Sequence, residues 1–376
     1  MSVSSVTVER IELLAIGPDG EKVTWSSHLG TMYEALIVAR LFLSNGVEAI
    51  AGTTTYTEHE FDRTTFHAAA LMAPFVLGRD AFDTQAAYAD MRKRYVPLGH
   101  LATSLFDIAL HDGKAKSEDR PIYRMLGAAR HEIPAYASSP LLPTDQAYVD
   151  YCHDMLKLGY RAIKIHPDCV FDDDIRLVST LVEEFAERDV KLSLDVDGMY
   201  TLDQALRMGN ILDDSGWEFF EAPLPDTDLR GYKALANSLE LDVICGGNSL
   251  PYPQLIGIAL EMGAWDRSRF DVTGIGGFTG AGDVAELTCA HGKACEVQSW
   301  GYTLTQAANL HFMLAHRNCT NFEQAAPFEL YEFGARQVIR PDADGLVRPS
   351  DLPGLGVEMN WNRMEPFVYA RRVFTT

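Results

Sequence analysis

Apolar and polar positions alternate in short blocks along most of this chain, and the blocks change character near residue 130. Residues 6–15 and 47–51 show the alternation of strands. Three longer stretches with helical periodicity follow, at 60–76, 84–94 and 101–116. Strands followed by helices predict a small α+β domain over residues 1–128.

From residue 129 to about 325, short apolar strands alternate regularly with helical stretches. The predicted strands are 133–138, 162–166, 192–195, 219–221, 243–245, 270–272, 295–298 and 319–322. Eight strands alternating with helices predict an α/β barrel of parallel strands of the TIM type. The last segment, 326–376, loses this rhythm, and we expect it to return to the first domain.

Polar residues stand at the ends of four successive predicted strands. Lys164 and His166 end one strand, Asp195 ends the next, and Glu221 and Asn248 follow after 26 and 27 further positions. A parallel barrel directs the carboxyl ends of all its strands to one face, so these side chains should form one cluster. Carboxylate and amide oxygens suit Mg²⁺, which predicts a metal site of Asp195, Glu221 and Asn248. The alternative is that each of the three caps the next helix.

Lys164 and His166 are the candidate acid/base groups. Beside other cations the pKa of a buried lysine falls, so that Lys164 could act as a base. The alternative is a structural ion pair with Asp195 or Asp197. His166 shares a strand face with Lys164 and could be a second acid/base or a substrate contact. A hydrogen-bonded rim histidine is the alternative.

Composition narrows the classes of function. The chain has 376 residues, 47% hydrophobic and 23% charged, which is ordinary for a soluble globular protein. It shows no apolar run of about 20 residues and no signal peptide, so we expect no membrane partner. Six scattered cysteines without a Cys-x-x-Cys pair indicate free thiols and a cytoplasmic protein. A formal charge of −21 argues against nucleic acid as a partner.

Several short motifs occur in a particular order. The segments 102–115 and 121–127 come first, and Lys164-x-His166, Asp195-Val-Asp197-Gly, 219–223, 246–248 and 271–277 follow. In order and spacing they resemble the mandelate racemase/muconate lactonizing enzyme branch of the enolase superfamily, over almost the whole chain. The resemblance implies an α+β capping domain on a modified (β/α)7β barrel, a Mg²⁺ cofactor and removal of a proton α to a carboxylate. It also implies a small carboxylate substrate and a homo-oligomer, either a dimer or an octamer.

Three departures from the family pattern concern the metal and the base. Asn248 stands where the family has Glu or Asp as the third ligand, so the site loses a charge. Asp197 stands where the family usually has Asn, and it could return that charge. His166 replaces the second lysine of the usual Lys-x-Lys motif.

Other departures concern the opposite face of the site. Gln298 falls where mandelate racemase-like members have a catalytic histidine, and the acid that would orient that histidine remains as Asp271. No lysine occurs near Asp271 to act from that face. Glu323 matches the acid on the last strand that helps to hold the substrate carboxylate or enolate. If the acid/base groups lie on one face only, we expect a reaction confined to that face, such as syn β-elimination, in which a base takes the α-proton and an acid helps the hydroxyl leave.

Two segments of the first domain match the family's specificity loops in position. The segment 23–33 contributes Trp25, His28 and Tyr33, and the segment 52–57 contributes Tyr56, as candidates for contacting substrate. Loops that close over a barrel mouth exclude water and order the substrate. Anchoring of the loops is the alternative role for each residue.

Three hypotheses about function follow. The leading one is dehydration of a sugar acid to a 2-keto-3-deoxy acid. The second is a cycloisomerase, racemase or epimerase that recruits another acid such as His100 or His28. The third is a barrel that has lost metal-dependent catalysis and has a binding role, which the replacements at Asn248 and Gln298 keep open.

Overall fold

The computed structural model describes residues 5–17, 23–24, 31–56, 61–95 and 98–376. Within these described residues, the first domain contains five strands and four helices. These are β1 (Val8–Ile16), β2 (Val23–Thr24), β3 (Thr31–Met32), β4 (Glu34–Leu43), β5 (Glu48–Tyr56), α1 (Phe61–Val76), α2 (Thr84–Tyr95), α3 (Leu101–Ser117) and α4 (Ile122–Met125). Strands β1, β4 and β5 form an antiparallel sheet, and β2 pairs separately with β3.

Strand β4 was not among the predicted strands. Its sequence, EALIVARLFL, is apolar at nearly every position, and eight of its ten residues are buried. A strand covered on both faces lacks the alternation by which a half-buried strand is recognised. Strand β4 nevertheless lies at the centre of the sheet, between β1 and β5.

Helix α3 attaches this domain to the rest of the chain through two buried aspartates. Asp107 accepts hydrogen bonds from the backbone N–H and the hydroxyl of Thr279, at 3.1 and 2.7 Å. Asp112 accepts from the backbone N–H groups of Ile50 and Leu355, at 2.7 and 2.8 Å. The contacts of Asp107 therefore connect the capping domain to the barrel, and those of Asp112 connect α3 to β5 and to the C-terminal segment.

Eight parallel strands form the barrel. They are β6 (Ile133–Ser138), β7 (Ala162–Ile165), β8 (Lys191–Asp195), β9 (Phe219–Glu221), β10 (Asp242–Ile244), β11 (Arg267–Phe270), β12 (Ala294–Val297) and β13 (Phe322–Ala325). Consecutive strands pair from β6 to β12, β13 pairs with β6, and a bridge between Cys295 and Cys319 nearly closes the circle. The predicted fold class, an α+β capping domain on a modified TIM-type barrel, is confirmed.

Seven helices alternate with these strands, and the chain ends back at the first domain. The helices are α5 (Asp145–Lys157), α6 (Phe171–Phe185), α7 (Leu202–Asp214), α8 (Leu229–Ala236), α9 (Pro253–Met262), α10 (Gly277–Ala290) and α11 (Thr303–Ala315). The short elements β14 (Leu346–Val347) and α12 (Trp361–Met364) precede β15 (Val368–Thr375), which pairs antiparallel with β1. The domain boundaries at 128 and 325 remain predictions. None of the described helices is both long and apolar enough to span a membrane.

Two barrel strands differ from their predicted ranges by more than one residue at an end. Strand β11 ends at Phe270, because Asp271 accepts a hydrogen bond from the backbone of Thr273 and thereby begins the loop. Strand β13 begins at Phe322, three residues later than predicted. Arg269 and Glu323 therefore belong to the barrel strands themselves.

Candidate active site

The polar strand ends surround a cavity of about 700 Å³ at the carboxyl end of the barrel. Strands β8 and β9 pair so that Asp195 lies opposite Glu221. Of the predicted residues, the cavity is lined by Lys164, His166, Asp195, Asp197, Glu221, Asn248, Gln298 and Glu323. The barrel thus brings together residues that are 159 positions apart in the sequence, from Lys164 to Glu323.

The three predicted metal ligands do not cap the helices that follow them. Helix α7, after Asp195, is capped by the side chain of Thr201. Helix α8, after Glu221, is capped by Asp228. Helix α9, after Asn248, begins without a side-chain cap. The capping alternative is therefore wrong for all three, and their side chains remain available to the cavity.

Lys164 is fully buried among carboxylates. Its Nζ lies 2.7 Å from Glu221 Oε2, 2.7 Å from Glu323 Oε1 and 3.4 Å from Asp195 Oδ2. Burial and the nearby Arg269 lower the pKa of Lys164, but the three carboxylates outweigh them and hold this pKa above its ordinary value. The lowering expected beside other cations does not occur among these side chains, because carboxylates outnumber cations around the ammonium group.

Arg269 is the second buried cation of the site, and the sequence analysis did not identify it. Its Nε lies 2.5 Å from Glu221 Oε1, and its Nη2 lies 2.8 Å from Glu323 Oε2. Its Nη1 donates to the hydroxyl of Tyr136 at 3.3 Å. Arg269 precedes Asp271 by two positions. Because residues two apart along a strand point to the same face, this spacing could have identified Arg269 from the sequence.

Glu323 is held as an ionised carboxylate by four donors. Its Oε1 accepts from Lys164 and from the hydroxyl of Ser138 at 2.9 Å. Its Oε2 accepts from Arg269 and from the backbone N–H of Ser299 at 3.3 Å. Burial raises the pKa of Glu323, but Arg269 and Lys164 lower it further, to about 2. Glu323 therefore organises the two cations and carries no proton to donate.

His166 is buried, with both ring nitrogens facing acceptors. Its Nδ1 lies 2.7 Å from the backbone oxygen of Ser139, and its Nε2 lies 3.1 Å from Asp195 Oδ2. The Nδ1–H therefore donates to the carbonyl, which orients the ring and directs Nε2 towards Asp195. His166 is only 6% exposed, so it is not a rim histidine.

The capping domain reaches His166 through Trp300. The indole lies edge-on to the imidazole with 5.7 Å between ring centroids, and its Nε1 donates to Glu34 Oε1 at 3.4 Å. Glu34 belongs to β4, and burial raises its pKa to about 7. Trp300 thereby connects Glu34 of the capping domain to His166, which lies beside Asp195.

Asn248 lies on an exposed loop that a single buried carboxylate holds in place. Asp226 accepts hydrogen bonds from the backbone N–H groups of Gly246 at 2.7 Å, Asn248 at 3.1 Å and Ser249 at 3.1 Å. Sequence reasoning missed Asp226, which lies in a loop with no periodic pattern. The three hydrogen bonds determine where the Asn248 amide enters the cavity.

Asp271 lies in a second pocket next to the first. Its Oδ1 accepts from the backbone N–H of Thr273 at 2.7 Å and from Asn309 Nδ2 at 2.9 Å. Burial raises the pKa of Asp271 to about 6. Gln298 and Asn248 line both pockets, so the two pockets adjoin.

The predicted capping-domain contacts are mostly beyond what the structure describes. Trp25 and His28 lie outside the described residues, and so does the side chain of Tyr56. Tyr33 is described and is 36% exposed. Their roles stay predictions. His100, the alternative acid, lines the second pocket.

The oxygen donors of the site have the right chemistry for a magnesium ion. Asp195 and Glu221 offer carboxylate oxygens and Asn248 an amide oxygen, which are the hard ligands that Mg²⁺ prefers. Among the described residues, no group of three His, Cys, Asp or Glu side chains is arranged to hold a metal ion.

The charge of the cluster also suits a cation. The three carboxylates of Asp195, Glu221 and Glu323 outnumber the two cations that they contact, Lys164 and Arg269, and the carboxyl group of Asp197 lines the same cavity. A divalent ion would offset this excess of negative charge. The residue types present therefore fit a Mg²⁺ ion.

Comparison with known proteins gives matches over both domains. Residues 22–127 match the family model of the mandelate racemase / muconate lactonizing enzyme N-terminal domain, and residues 147–363 match that of the enolase C-terminal domain-like family. A crystal structure from Pseudovibrio sp., assigned to the mandelate racemase/muconate lactonizing enzymes, superposes with a TM-score of 0.97 and 35% identity. The match covers 99% of this chain and 100% of that one.

Two characterised proteins show what such relatives do. D-galactarolactone cycloisomerase of Agrobacterium fabrum is 27% identical over 78% of this chain and 82% of its own. L-talarate/galactarate dehydratase of Salmonella typhimurium, solved with Mg and L-lyxarohydroxamate, shares the fold with a TM-score of 0.89 and 20% identity, over 99% of this chain and 95% of that one. Other relatives are epimerases and synthases, so relatives of this kind catalyse several reactions.

The order of motifs, the two-domain fold and the matches over both domains lead to one conclusion. This chain belongs to the mandelate racemase/muconate lactonizing enzyme branch of the enolase superfamily, and it is an enzyme of the lyase or isomerase type.

Proposed function

We propose that this enzyme removes the α-proton of a sugar acid and eliminates a hydroxyl group, forming a 2-keto-3-deoxy acid. The observation that carries the proposal is the pair of acid/base groups beside a predicted metal ligand. Lys164 and His166 lie together at Asp195 Oδ2, at 3.4 and 3.1 Å. Gln298 lines the same cavity, and an amide cannot take a proton near neutral pH.

Mg²⁺ is the proposed cofactor, with Asp195, Glu221 and Asn248 as its ligands. When bound, the ion supplies positive charge that stabilises an enediolate. Asp226 would hold the third ligand in position through its three backbone hydrogen bonds.

The contacts of the two candidate bases favour different roles for them. Lys164 already faces three carboxylates with its ammonium group, which suits a cation that neutralises charge. His166 has its ring oriented by the Ser139 carbonyl and presents Nε2 at the cavity. We therefore assign proton transfer to the neutral form of His166, in which Nδ1–H donates to Ser139 while Nε2 takes the α-proton and returns it to the departing hydroxyl from the same face. This revises the sequence-based assignment of the base to Lys164.

A screen of sugar acids tests the proposed reaction. The purified enzyme is expected to form a 2-keto product from at least one sugar acid with Mg²⁺ and to lose this activity in excess EDTA. In ²H₂O, exchange at the α-carbon should occur in only one of the two C2 epimers, because Gln298 provides no base on the second face. NMR of substrate and product measures both results. Accumulation of the inverted epimer at the rate of turnover would instead identify an epimerase.

The Asn248→Asp variant tests the metal site. A third carboxylate should strengthen Mg²⁺ binding by about tenfold, because ligand charge tunes the affinity for hard cations. Titration calorimetry of the metal-free protein measures this independently of activity. Asn237→Asp makes the same charge change at an exposed position just after α8 and should leave the affinity unchanged. Equal affinities in the two variants would exclude position 248 as a ligand.

A further inference from the structure

A second pocket of about 330 Å³ extends the active-site cavity towards the capping domain. Asn248, Gln298 and Trp300 line both spaces, so one ligand could occupy them together. Strand β5 forms one wall with Thr53, Thr54 and Thr55, and the loop after β11 forms another. A substrate whose carboxylate lies beside Lys164 could place its far end here.

The described lining of the second pocket offers no positive charge. None of its described lining residues is a lysine or an arginine. His100 does not supply a cation either, because burial and then Arg92 lower its pKa to about 4. In the first cavity, the lysine and arginine among the described lining residues are Lys164 and Arg269, and both already contact carboxylates.

What the pocket offers instead is one carboxyl group and several neutral polar groups. Asp271 has a pKa of about 6, so it is mainly ionised at neutral pH and repels an anion. Its Oδ1 is stabilised by neutral donors, the Thr273 backbone and Asn309. A second carboxylate placed here would lose water without gaining a cation, which is strongly unfavourable.

The side chain of Gln298 limits which ligand group can lie in this pocket. Its Oε1 is buried and has no hydrogen-bond partner among the described residues. A buried acceptor without a donor is costly, so a ligand that brings a donor to this position gains that bond. A hydroxyl group is such a donor, and a carboxylate is not.

We propose that the substrate carries a single carboxylate and places an uncharged, hydroxyl-bearing chain in the second pocket. Within the sugar acids this selects aldonic acids over aldaric acids, which have a carboxylate at each end. The inference rests on the proposed function and narrows its substrate class.

Matched pairs of sugar acids test this selection. Gluconate with glucarate and galactonate with galactarate share configuration at C2 to C5 and differ only at C6. The enzyme with Mg²⁺ is expected to exchange the α-proton of the preferred aldonate with kcat/KM about 100-fold above that of its aldarate, because like-charge juxtaposition opposes the diacid. Equal or faster reaction of the aldarate would overturn the inference. Faster reaction of the corresponding 6-amino-6-deoxyaldonate would also overturn it, because the pocket would then select a cation. No exchange with any sugar acid would refute the proposed function itself.

Two variants test the charge argument through the ratio of aldarate to aldonate activity. Gln298→Lys adds a cation to the pocket and should raise this ratio by about tenfold or more. Gln298→Met has similar length without the charge and should not raise it. Asp271→Asn removes the repelling charge and should move the ratio in the same direction as Gln298→Lys. If neither charge variant changes the ratio, the second pocket does not contact the far end of the substrate.

Discussion

Replacing Lys164 with alanine is expected to reduce α-proton exchange by about 10³-fold, because a preorganised charge in a dry site contributes on this scale. The change leaves Glu221, Glu323 and Asp195 with Arg269 as the remaining buried cation in contact with two of them. The excess negative charge opposes both the carboxylate substrate and the enediolate. Exchange measured by NMR in ²H₂O at saturating Mg²⁺ checks the expectation. Exchange at the rate of the unmodified enzyme would remove Lys164 from the mechanism.

Two further variants separate charge from proton transfer at this position. Lys164→Arg keeps the positive charge and is expected to retain measurable exchange. His166→Asn keeps a polar side chain without a titratable ring, and it should show none. The opposite pattern, exchange in His166→Asn and none in Lys164→Arg, would return the role of base to Lys164.

Replacing Arg269 with methionine is expected to lower the free energy of unfolding by about 3–5 kcal/mol, the usual cost of removing one partner from a buried ion pair. Arg269 is 2% exposed and contacts the carboxylates of Glu221 and Glu323 at 2.5 and 2.8 Å. Methionine fills part of the volume but leaves both carboxylates short of a cation. Urea unfolding followed by circular dichroism measures the change.

The matched control for Arg269 is an exposed arginine that also contacts two carboxylates. Arg176 pairs with Asp145 and Asp173, and its side chain is 61% exposed. Solvent screens such pairs, so Arg176→Met should change stability little. Similar stability of the two variants would show that the Arg269 contacts contribute no more than surface ion pairs.

Much of the fold followed from periodicity. One strand and one helix per unit of about 26 residues predicted a parallel barrel, and a barrel gathers strand ends at one face whatever the loops contain. That reasoning predicted that Lys164, Asp195 and Glu221 lie close together, and all three line one cavity in the structure. It failed for β4, whose uniformly apolar residues carry no period.

The electrostatic character of the site depended on neighbours that are distant in the chain. Lys164 could have been a base beside cations or an ion-paired ammonium beside carboxylates, and both are compatible with one lysine at a strand end. The contact with Glu323, from the last strand of the barrel, helps to decide between them. Closure of the barrel, through the pairing of β13 with β6, creates this contact.

Residue types and their order by themselves determined the family, the barrel and the oxygen donors of the candidate metal site, because these depend on spacing along the chain. Tertiary structure alone decided the bonding of Arg269, the anchoring of Asn248 by Asp226 and the absence of lysine and arginine from the described lining of the second pocket. The physical reason is that a charge acts through distance and burial, and both are set by side chains that meet only when the barrel and the capping domain are assembled.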